Sequence, residues 1–419
     1  MENEVTFSEI DCENKKLLLS SWLDAGEVLI SSGAEINRVE DTISRLAYAY
    51  GALKTDVFVI TSSIVLTVTF PEDKIYTVSK RLDGQGGTDF EKFEEVNELS
   101  RECCSERKAL DTFRNTLGEI KAERSPWFKT LIGSIIAAGA CGVLFGGELI
   151  DGVLAGLMGA LVWALTRYLS KFLPNRVTFS LVSSIVIGLA ICLFQFAAGV
   201  FLVDKVAIGV IMLLIPGLAI TNAVRDMLLG NTISGALKFI QSTVIAMMIA
   251  AGFMLANAMM KMTVVHIATT DGIYQLVPAL LISLGFALVF NLRSKYLPIV
   301  MFGGLADFAV YLFFELKLNL SVFWCCLFAG LFADMFSQVM ARIIKTPATL
   351  FLVPTVIPLI PGSSLYYTAF FFMSGSPLAS QYGKTTALVI LGLAFGIGLS
   401  ASFFSLVVGK VPLHKWKHH

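Results

Sequence analysis

Two short stretches of similar sequence, Leu-Leu-Ile-Pro-Gly at 213–217 and Pro-Leu-Ile-Pro-Gly at 358–362, interrupt long apolar segments of the chain. Each segment is long enough to cross a bilayer as a helix. Proline lacks the amide hydrogen that a helix needs and glycine loosens the backbone, so each stretch should break its helix within the membrane. Matched breaks in two halves of a chain point to the substrate site of a secondary transporter. The pair therefore predicts a transporter whose substrate lies between two broken helices.

The overall composition is typical of a membrane protein. Apolar residues make up 55% of the 419 residues and charged residues only 15%, with a mean hydropathy of +0.73. The net charge is zero, so nothing indicates nucleic-acid binding. None of the seven cysteines shows metal-ligand spacing. We therefore expect no metal, no other cofactor and no disulfide.

The N-terminal part of the chain, residues 1–126, predicts a small soluble α+β domain. Apolar residues recur at helical spacing up to about residue 50, alternate as in strands from Ile64 to Val78, and return to helical spacing from about Asp89 to Lys121. Charged residues are frequent in this part, whereas the chain after Pro126 consists of nearly continuous apolar blocks.

A polar cluster at residues 33–42 is the candidate functional site of this domain. Its charged members are Glu35, Arg38, Glu40 and Asp41. Ion pairs between successive turns of a solvated helix are the simpler explanation for these charges. A hydrolase is disfavoured because the domain contains no histidine, the commonest proton-transfer group of such enzymes.

About ten apolar segments after residue 126 are long enough to span a membrane. They lie at about 129–147, 151–168, 177–198, 204–222, 233–257, 273–290, 297–314, 319–340, 347–372 and 385–408. The third and fourth are nearly continuous, so nine or eleven spans are alternatives. With ten spans and both termini in the cytoplasm, most Lys and Arg residues of the loops are cytoplasmic, as the positive-inside rule requires. In this topology Lys205 belongs to an external loop and Asp151 to the end of a span.

The breaks fall in the fourth and ninth spans, which divides the spans into two repeats of five. The first repeat is residues 127–262, and the second is residues 263–419, including a short cytoplasmic tail. An odd number of spans per repeat makes the second repeat enter the membrane from the opposite side, and such inverted repeats support alternating access. The predicted fold is an α-helical polytopic membrane protein of about ten helices in two inverted repeats, preceded by the α+β domain.

The predicted substrate site consists of the two breaks and the polar residues that follow them. Its members are Pro216, Gly217, Thr221, Asn222, Pro361, Gly362, Ser363, Ser364 and Tyr366. A broken helix exposes amide groups at one new end and carbonyl groups at the other. The amides favour a carboxylate and the carbonyls a cation, which suits a zwitterion or an anion that moves with a proton.

Acidic residues within the predicted spans are candidates for proton coupling, because charges at that depth are costly. Asp307 and Asp334 are the two candidates, and a structural hydrogen bond between helices is the alternative for each. Arg225 and Asp226 follow the first break by two turns. They serve either as a gate or as charges that mark a cytoplasmic helix end.

Four stretches of the chain resemble the threonine/serine exporter family. They are Gly-Ala-Glu-Ile-Asn-Arg-Val-Glu-Asp-Thr at 33–42, Val-Asn-Glu-Leu-Ser-Arg at 96–101, Ile-Pro-Gly-Leu-Ala-Ile-Thr-Asn-Ala-Val-Arg-Asp at 215–226 and Pro-Thr-Val-Ile-Pro-Leu-Ile-Pro-Gly-Ser at 354–363. The resemblance covers almost the whole chain. It implies export of threonine and serine across the bacterial plasma membrane, driven by the proton motive force.

Several alternatives remain open. In the resembled family the two halves also occur as separate proteins that form a succinate exporter, so a small dicarboxylate is the alternative substrate. A membrane-bound enzyme that uses Glu35, Arg38 and Asp41 is a second hypothesis, and an N-terminal domain that gates the pore is a third. The expected partners are the small-molecule substrate, protons and lipid, and a homo-oligomer is an alternative to a monomer.

Overall fold

A computed structural model describes residues 12–60, 62–71, 74–82, 87–106, 110–123, 125–173, 175–199, 201–228, 230–260 and 272–408. The chain divides into two compact units, which we call the N-terminal unit and the membrane unit. The N-terminal unit comprises Met1–Ser125 with Ser405–His419, and the membrane unit comprises Pro126–Phe404. The predicted tail and the loop before residue 272 lie outside the described residues.

The N-terminal unit combines four helices with one antiparallel sheet. Its elements are α1 (Cys12–Ser31), α2 (Ile36–Ala49), β1 (Lys54–Ile60), β2 (Ser63–Phe70), β3 (Lys74–Arg81), α3 (Phe90–Glu106) and α4 (Leu110–Ala122). The strands are ordered β1-β2-β3, and the alternating sequence of β2 buries Ile64, Leu66, Val68 and Phe70 on one face. A methyl group at Gly26 of α1 would lie 2.9 Å from side-chain carbons of both Ile43 and Ile64. The helices therefore pack closely on this face of the sheet.

The membrane unit consists of helices. They are α5 (Trp127–Leu144), α6 (Leu149–Tyr168), α7 (Arg176–Ala198), α8 (Val203–Leu214), α9 (Gly217–Leu228), α10 (Thr232–Met260), α11 (Leu276–Val289), α12 (Leu297–Leu316), α13 (Val322–Ile344), α14 (Thr349–Val356), α15 (Gly362–Met373) and α16 (Leu378–Val408).

Within the described residues, seven helices are long and apolar enough to cross a membrane. Two further pairs, α8 with α9 and α14 with α15, raise the number to nine if each bent pair is one span. The apolar helix Ile273–Val289 is shorter and occupies the place of the predicted sixth span. The protein is therefore a polytopic helical membrane protein, and the ten spans in two inverted repeats stay a prediction.

Small residues let helices from the two predicted halves approach closely. A methyl group at Gly285 of α11 would lie 2.6 Å from the backbone nitrogen of Ala137 in α5. The reverse contact is equally tight, because a methyl group at Gly133 of α5 would lie 2.7 Å from the carbonyl oxygen of Gly285. Close backbone approach through small residues is the usual way in which membrane helices associate. The two halves are thus joined directly through α5 and α11.

Candidate functional site

The first Pro-Gly stretch separates α8 from α9. Ile215 leaves the helix in an extended conformation, with φ −73° and ψ 133°, and α9 begins at Gly217. The amide of Ile220 donates to the carbonyl oxygen of Pro216 at 3.0 Å, which closes the first turn of α9. The two helices meet at an angle of 50°. The proline and the extended isoleucine thus account for the bend.

The second stretch repeats this geometry. α14 is followed by the short 3₁₀ helix Ile357–Leu359, and Ile360 is extended with φ −63° and ψ 132°. Pro361 precedes α15, which begins at Gly362, and the bend is 54°. Ile215 and Ile360 occupy matching places, one residue before the proline of each break.

The two breaks contact one another. A methyl group at Gly217 would lie 2.5 Å from Cγ2 of Ile360. One at Gly362 would lie 3.0 Å from Cγ2 of Ile215 and would also meet Sδ of Met212. Each glycine therefore leaves the space that the isoleucine of the other break fills. We call this reciprocal contact the crossing.

The polar residues after the breaks have different surroundings. The buried Thr221 hydroxyl donates to the carbonyl oxygen of Gly217 at 3.1 Å, within its own helix. Asn222 and Ser363 are half-buried. The Ser364 hydroxyl accepts a hydrogen bond from Thr386 of α16 at 3.0 Å. The structure thus brings the breaks together, whereas the Thr221 hydroxyl bonds within its own helix and the Ser364 hydroxyl bonds to α16.

The membrane unit holds a cavity of about 220 Å³. Its walls come from α7, α8, α10, α15 and the first residue of α16. Tyr366 is the member of the predicted substrate site that lines it, and Tyr367, Asn257, Cys192 and Asp204 supply its other polar groups. The volume is below the usual range for drug-sized ligands and suits a smaller molecule.

Asp204 is the functional candidate that the sequence analysis missed. It lies in the first turn of α8, where the helix dipole stabilises a carboxylate. The Tyr367 hydroxyl donates to Oδ1 of Asp204, and the Nζ atom of Lys205 lies 3.8 Å from Oδ2. The Lys205 side chain is 0% exposed. The expectation that Lys205 lies in an external loop is therefore wrong.

Asp151 is also buried rather than exposed at a span end. Its Oδ2 accepts from the amide of Glu148 at 2.7 Å and its Oδ1 from the amide of Leu202 at 2.8 Å. This carboxylate joins the start of α6 to the start of α8. The spacing of Glu148 and Asp151 at a helix start was a local signal for the first bond, whereas the second bond is long-range.

The two proton-coupling candidates lie on neighbouring helices, away from the described lining of the cavity. Asp307 of α12 is 0% exposed, and neither carboxyl oxygen has a hydrogen-bond partner among the described residues. Asp334 of α13 is buried as well. One turn before Asp307, a methyl group at Gly303 would lie 2.5 Å from the Thr355 hydroxyl oxygen of α14. Asp307 is thus on a helix that packs against the helix leading into the second break.

Arg225 and Asp226 form part of a buried ion-pair cluster. Oδ2 of Asp226 lies 2.8 Å from Nζ of Lys238 in α10, and Oδ1 lies 3.8 Å from the Arg225 guanidinium. The cluster ties the end of α9 to the following helix. A role as a gate stays a prediction.

The predicted cluster of the N-terminal unit is divided among separate contacts. Asp41 pairs with Arg45 at 2.9 Å on the surface, and the Arg38 guanidinium lies 5.9 Å from the centre of the Phe93 ring. Glu40 accepts a hydrogen bond from the amide of Val59 in β1 at 3.2 Å. Burial raises the pKa of Glu40 despite this hydrogen bond. Glu35 occupies the N-cap position of α2 without a side-chain cap. Glu40 and Arg38 thus join α2 to β1 and to α3.

Comparison with known proteins gives one curated relative. A threonine/serine exporter from Corynebacterium glutamicum is 25% identical over 240 residues, which cover 54% of this chain and 48% of that protein. The matched region therefore spans about half of the relative's length. No solved structure matches the chain. A family model of threonine/serine exporters matches residues 21–260, and a second, described as threonine/serine exporter, ThrE, matches residues 275–403. The chain therefore belongs to the threonine/serine exporter family.

Proposed function

We propose that the protein is a secondary exporter that moves threonine and serine out of the cell by alternating access, driven by the proton motive force. The crossing is the observation that carries this proposal, because two broken helices in contact are the arrangement that secondary transporters use for substrate. Membership of the family supports the substrate class. In this proposal the protein spans a bacterial plasma membrane ten times, as two inverted repeats with cytoplasmic termini.

The crossing supplies backbone groups suited to one end of an amino acid. Both α9 and α15 begin there, and the first amides of a helix have no carbonyl partner within it. The positive end of each helix dipole favours a carboxylate. Gly217 and Gly362 leave those first turns without side chains, and Tyr366 extends from the second turn of α15 into the cavity. The first amides of α9 and α15 are therefore the proposed contact for the substrate carboxylate as the substrate passes the crossing.

Asp307 is the proposed proton carrier. An isolated ionised carboxylate is expensive to bury, so a group without partners suits a cycle in which it gains and loses a proton. Its helix packs against α14, which ends at the second break, so a change of charge at Asp307 has a short path to the crossing. Asp334, on the adjacent helix, is the second candidate.

Transport in sealed vesicles tests the proposal. Purified full-length protein is reconstituted, a pH gradient is imposed, and uptake of labelled threonine, serine and succinate is compared. Gradient-dependent movement of threonine or serine, with no movement of succinate, is the expected result. Movement of succinate alone would assign the protein to the dicarboxylate alternative. Movement of none of the three by vesicles that hold their gradient would refute the proposed substrates.

A further inference from the structure

We infer that Asp204 binds the substrate ammonium group in the cavity, so that the site selects compounds with a protonated amine and rejects dicarboxylates. The inference deepens the proposed function and rests on it. It is carried by the position of this carboxylate in the cavity, by its hydrogen bond from Tyr367 and by the aromatic residues that share the cavity lining.

The position of Asp204 separates it from the other buried acids of the membrane unit. It is the one charged side chain among the described residues that line the cavity. It is almost fully buried, with a side-chain exposure of 5%. A cation that enters the cavity would therefore meet one carboxylate, in surroundings that screen charge poorly.

A lysine and a second carboxylate lie near Asp204. Lys205 interacts electrostatically with both Asp204 and Asp151. Both oxygens of Asp151 accept backbone amides, which holds that carboxylate in place. A substrate ammonium would meet the negative charge of Asp204 directly, whereas a dicarboxylate would place like charge beside it.

Tyr367 is a neutral hydrogen-bond donor to Asp204. Its hydroxyl donates to Oδ1, so the carboxylate has a neutral donor where a substrate would place a charged one. An ammonium carries three donors and forms stronger, charge-assisted hydrogen bonds. If a substrate ammonium replaced the tyrosine hydroxyl, Asp204 would keep a hydrogen bond at that oxygen.

The remaining walls also favour a cation. The ring centres of Tyr366 and Phe253 are 5.9 Å apart in an edge-to-face arrangement, and Tyr366 lies 5.8 Å from Phe370. Tyr367 stacks on Phe371 at 5.9 Å. Aromatic faces attract ammonium groups. Aromatic rings and a single carboxylate therefore recognise the same end of an amino acid.

Competition with threonine analogues tests the inference in reconstituted full-length protein. Threoninol keeps the ammonium and lacks the carboxylate, whereas 3-hydroxybutyrate keeps the carboxylate and lacks the ammonium. We expect threoninol to inhibit uptake of labelled threonine and 3-hydroxybutyrate to leave it unchanged. Equal inhibition by the two analogues would overturn the inference.

Substitution of Asp204 assigns the effect to this side chain. Asp204→Asn should raise the KM for threonine at least about tenfold and abolish inhibition by threoninol, because hydrogen bonds to a charged group are the strong ones. The matched control is Glu315→Gln, which neutralises a carboxyl that accepts from the Tyr311 hydroxyl on α12. A KM for Asp204→Asn within twofold of the control would contradict the role of Asp204.

A second variant covers the case in which Asp204→Asn does not fold. Tyr367→Phe keeps the carboxylate and removes its neutral donor, so threoninol should inhibit at lower concentration than in the parent protein. Unchanged or weaker inhibition in a folded Tyr367→Phe variant would contradict the inference.

A further measurement separates failure of the inference from failure of the proposed threonine export. If the parent protein moves no threonine, calorimetric titration of the detergent-purified protein with threoninol decides the matter. Binding that Asp204→Asn or Tyr367→Phe alters as described keeps the inference without the exporter, and absence of binding overturns both.

Discussion

Asp204 and Asp307 are both buried acids of the membrane unit, but their surroundings differ. Asp204 lines a cavity, accepts a tyrosine hydroxyl and has a lysine at 3.8 Å. Asp307 lies between packed helices, with no hydrogen-bond partner for either oxygen among the described residues. A satisfied carboxylate beside a space suits cation binding, whereas an unsatisfied one suits proton exchange. Burial alone would have given the two residues the same role, and only their neighbours separate them.

Asp307→Asn is expected to have the largest effect on transport. The amide cannot exchange a proton, so we expect threonine flux driven by a pH gradient to fall to that of empty vesicles. Exchange of labelled for unlabelled threonine across equal pH needs no net proton movement and should persist. Parent-like gradient-driven flux would remove Asp307 from the proton pathway, and the same assay on Asp334→Asn would then test the second candidate.

The crossing is the next test, because α8, which carries Asp204, leads into the first break, and α14, which packs on the helix of Asp307, leads into the second. Gly217→Ala forces a methyl group against Ile360, and overpacking of this kind costs about 1–3 kcal/mol. We expect a lower melting temperature and reduced threonine flux in either direction. The matched control is Gly398→Ala on α16, where a methyl group would meet no atom within 4 Å among the described residues. Equal melting temperatures for the two variants would show that the crossing tolerates separation.

Asp204→Asn tests the other carboxylate of the comparison, for which we expect the dependence of flux on the pH gradient to stay unchanged. At saturating threonine its flux should keep the pH-gradient dependence of the parent protein, because the proposed proton carrier is untouched. The measurement is the ratio of flux with and without the gradient, which should change by less than about twofold. Loss of gradient dependence would mean that Asp204 itself carries the proton.

Glu40 has a half-buried carboxyl outside the membrane unit, and the smallest effect is expected for its substitution. Its pKa is raised by burial above the usual value of 4.5, so its contribution to stability is fully present below 4.5 and is lost as the pH rises through the folded-state pKa. Glu40→Gln does not titrate and keeps an acceptor for Val59. The melting temperature of the variant should therefore exceed that of the parent by more at neutral pH than at about pH 4. A difference that is independent of pH would contradict this account.

The sequence predicted those features that depend on local chemistry. Proline and glycine disturb a helix wherever they stand, so Pro216 and Pro361 located the two bends correctly. Asp307 was identifiable because an acid within an apolar run is costly anywhere in a membrane. The strand β1 was overlooked, although Val57 and Val59 alternate with polar or less buried neighbours in its pattern.

Features that depend on distant residues were beyond the sequence. The hydrogen bond from Tyr367 to Asp204 joins two residues in different predicted halves, and no spacing rule connects them. Lys205 was assigned to a loop because a lysine near a span end normally marks the interface. Its burial depends on Asp204 beside it and on Asp151, which lies on another helix. The crossing likewise depends on pairing two breaks whose sequences do not reveal that they touch.

The reciprocal contact at the crossing has a consequence for the proton gradient and the membrane potential. A passage that opened to both sides at once would discharge the proton gradient and the voltage together. Ile215 fills the space beside Gly362, and Ile360 fills the space beside Gly217, so displacing one break disturbs the other. In the proposed cycle, a seal assembled from both halves of the chain would need no separate gate, and it would tie insulation of the cell to the contact that the substrate passes.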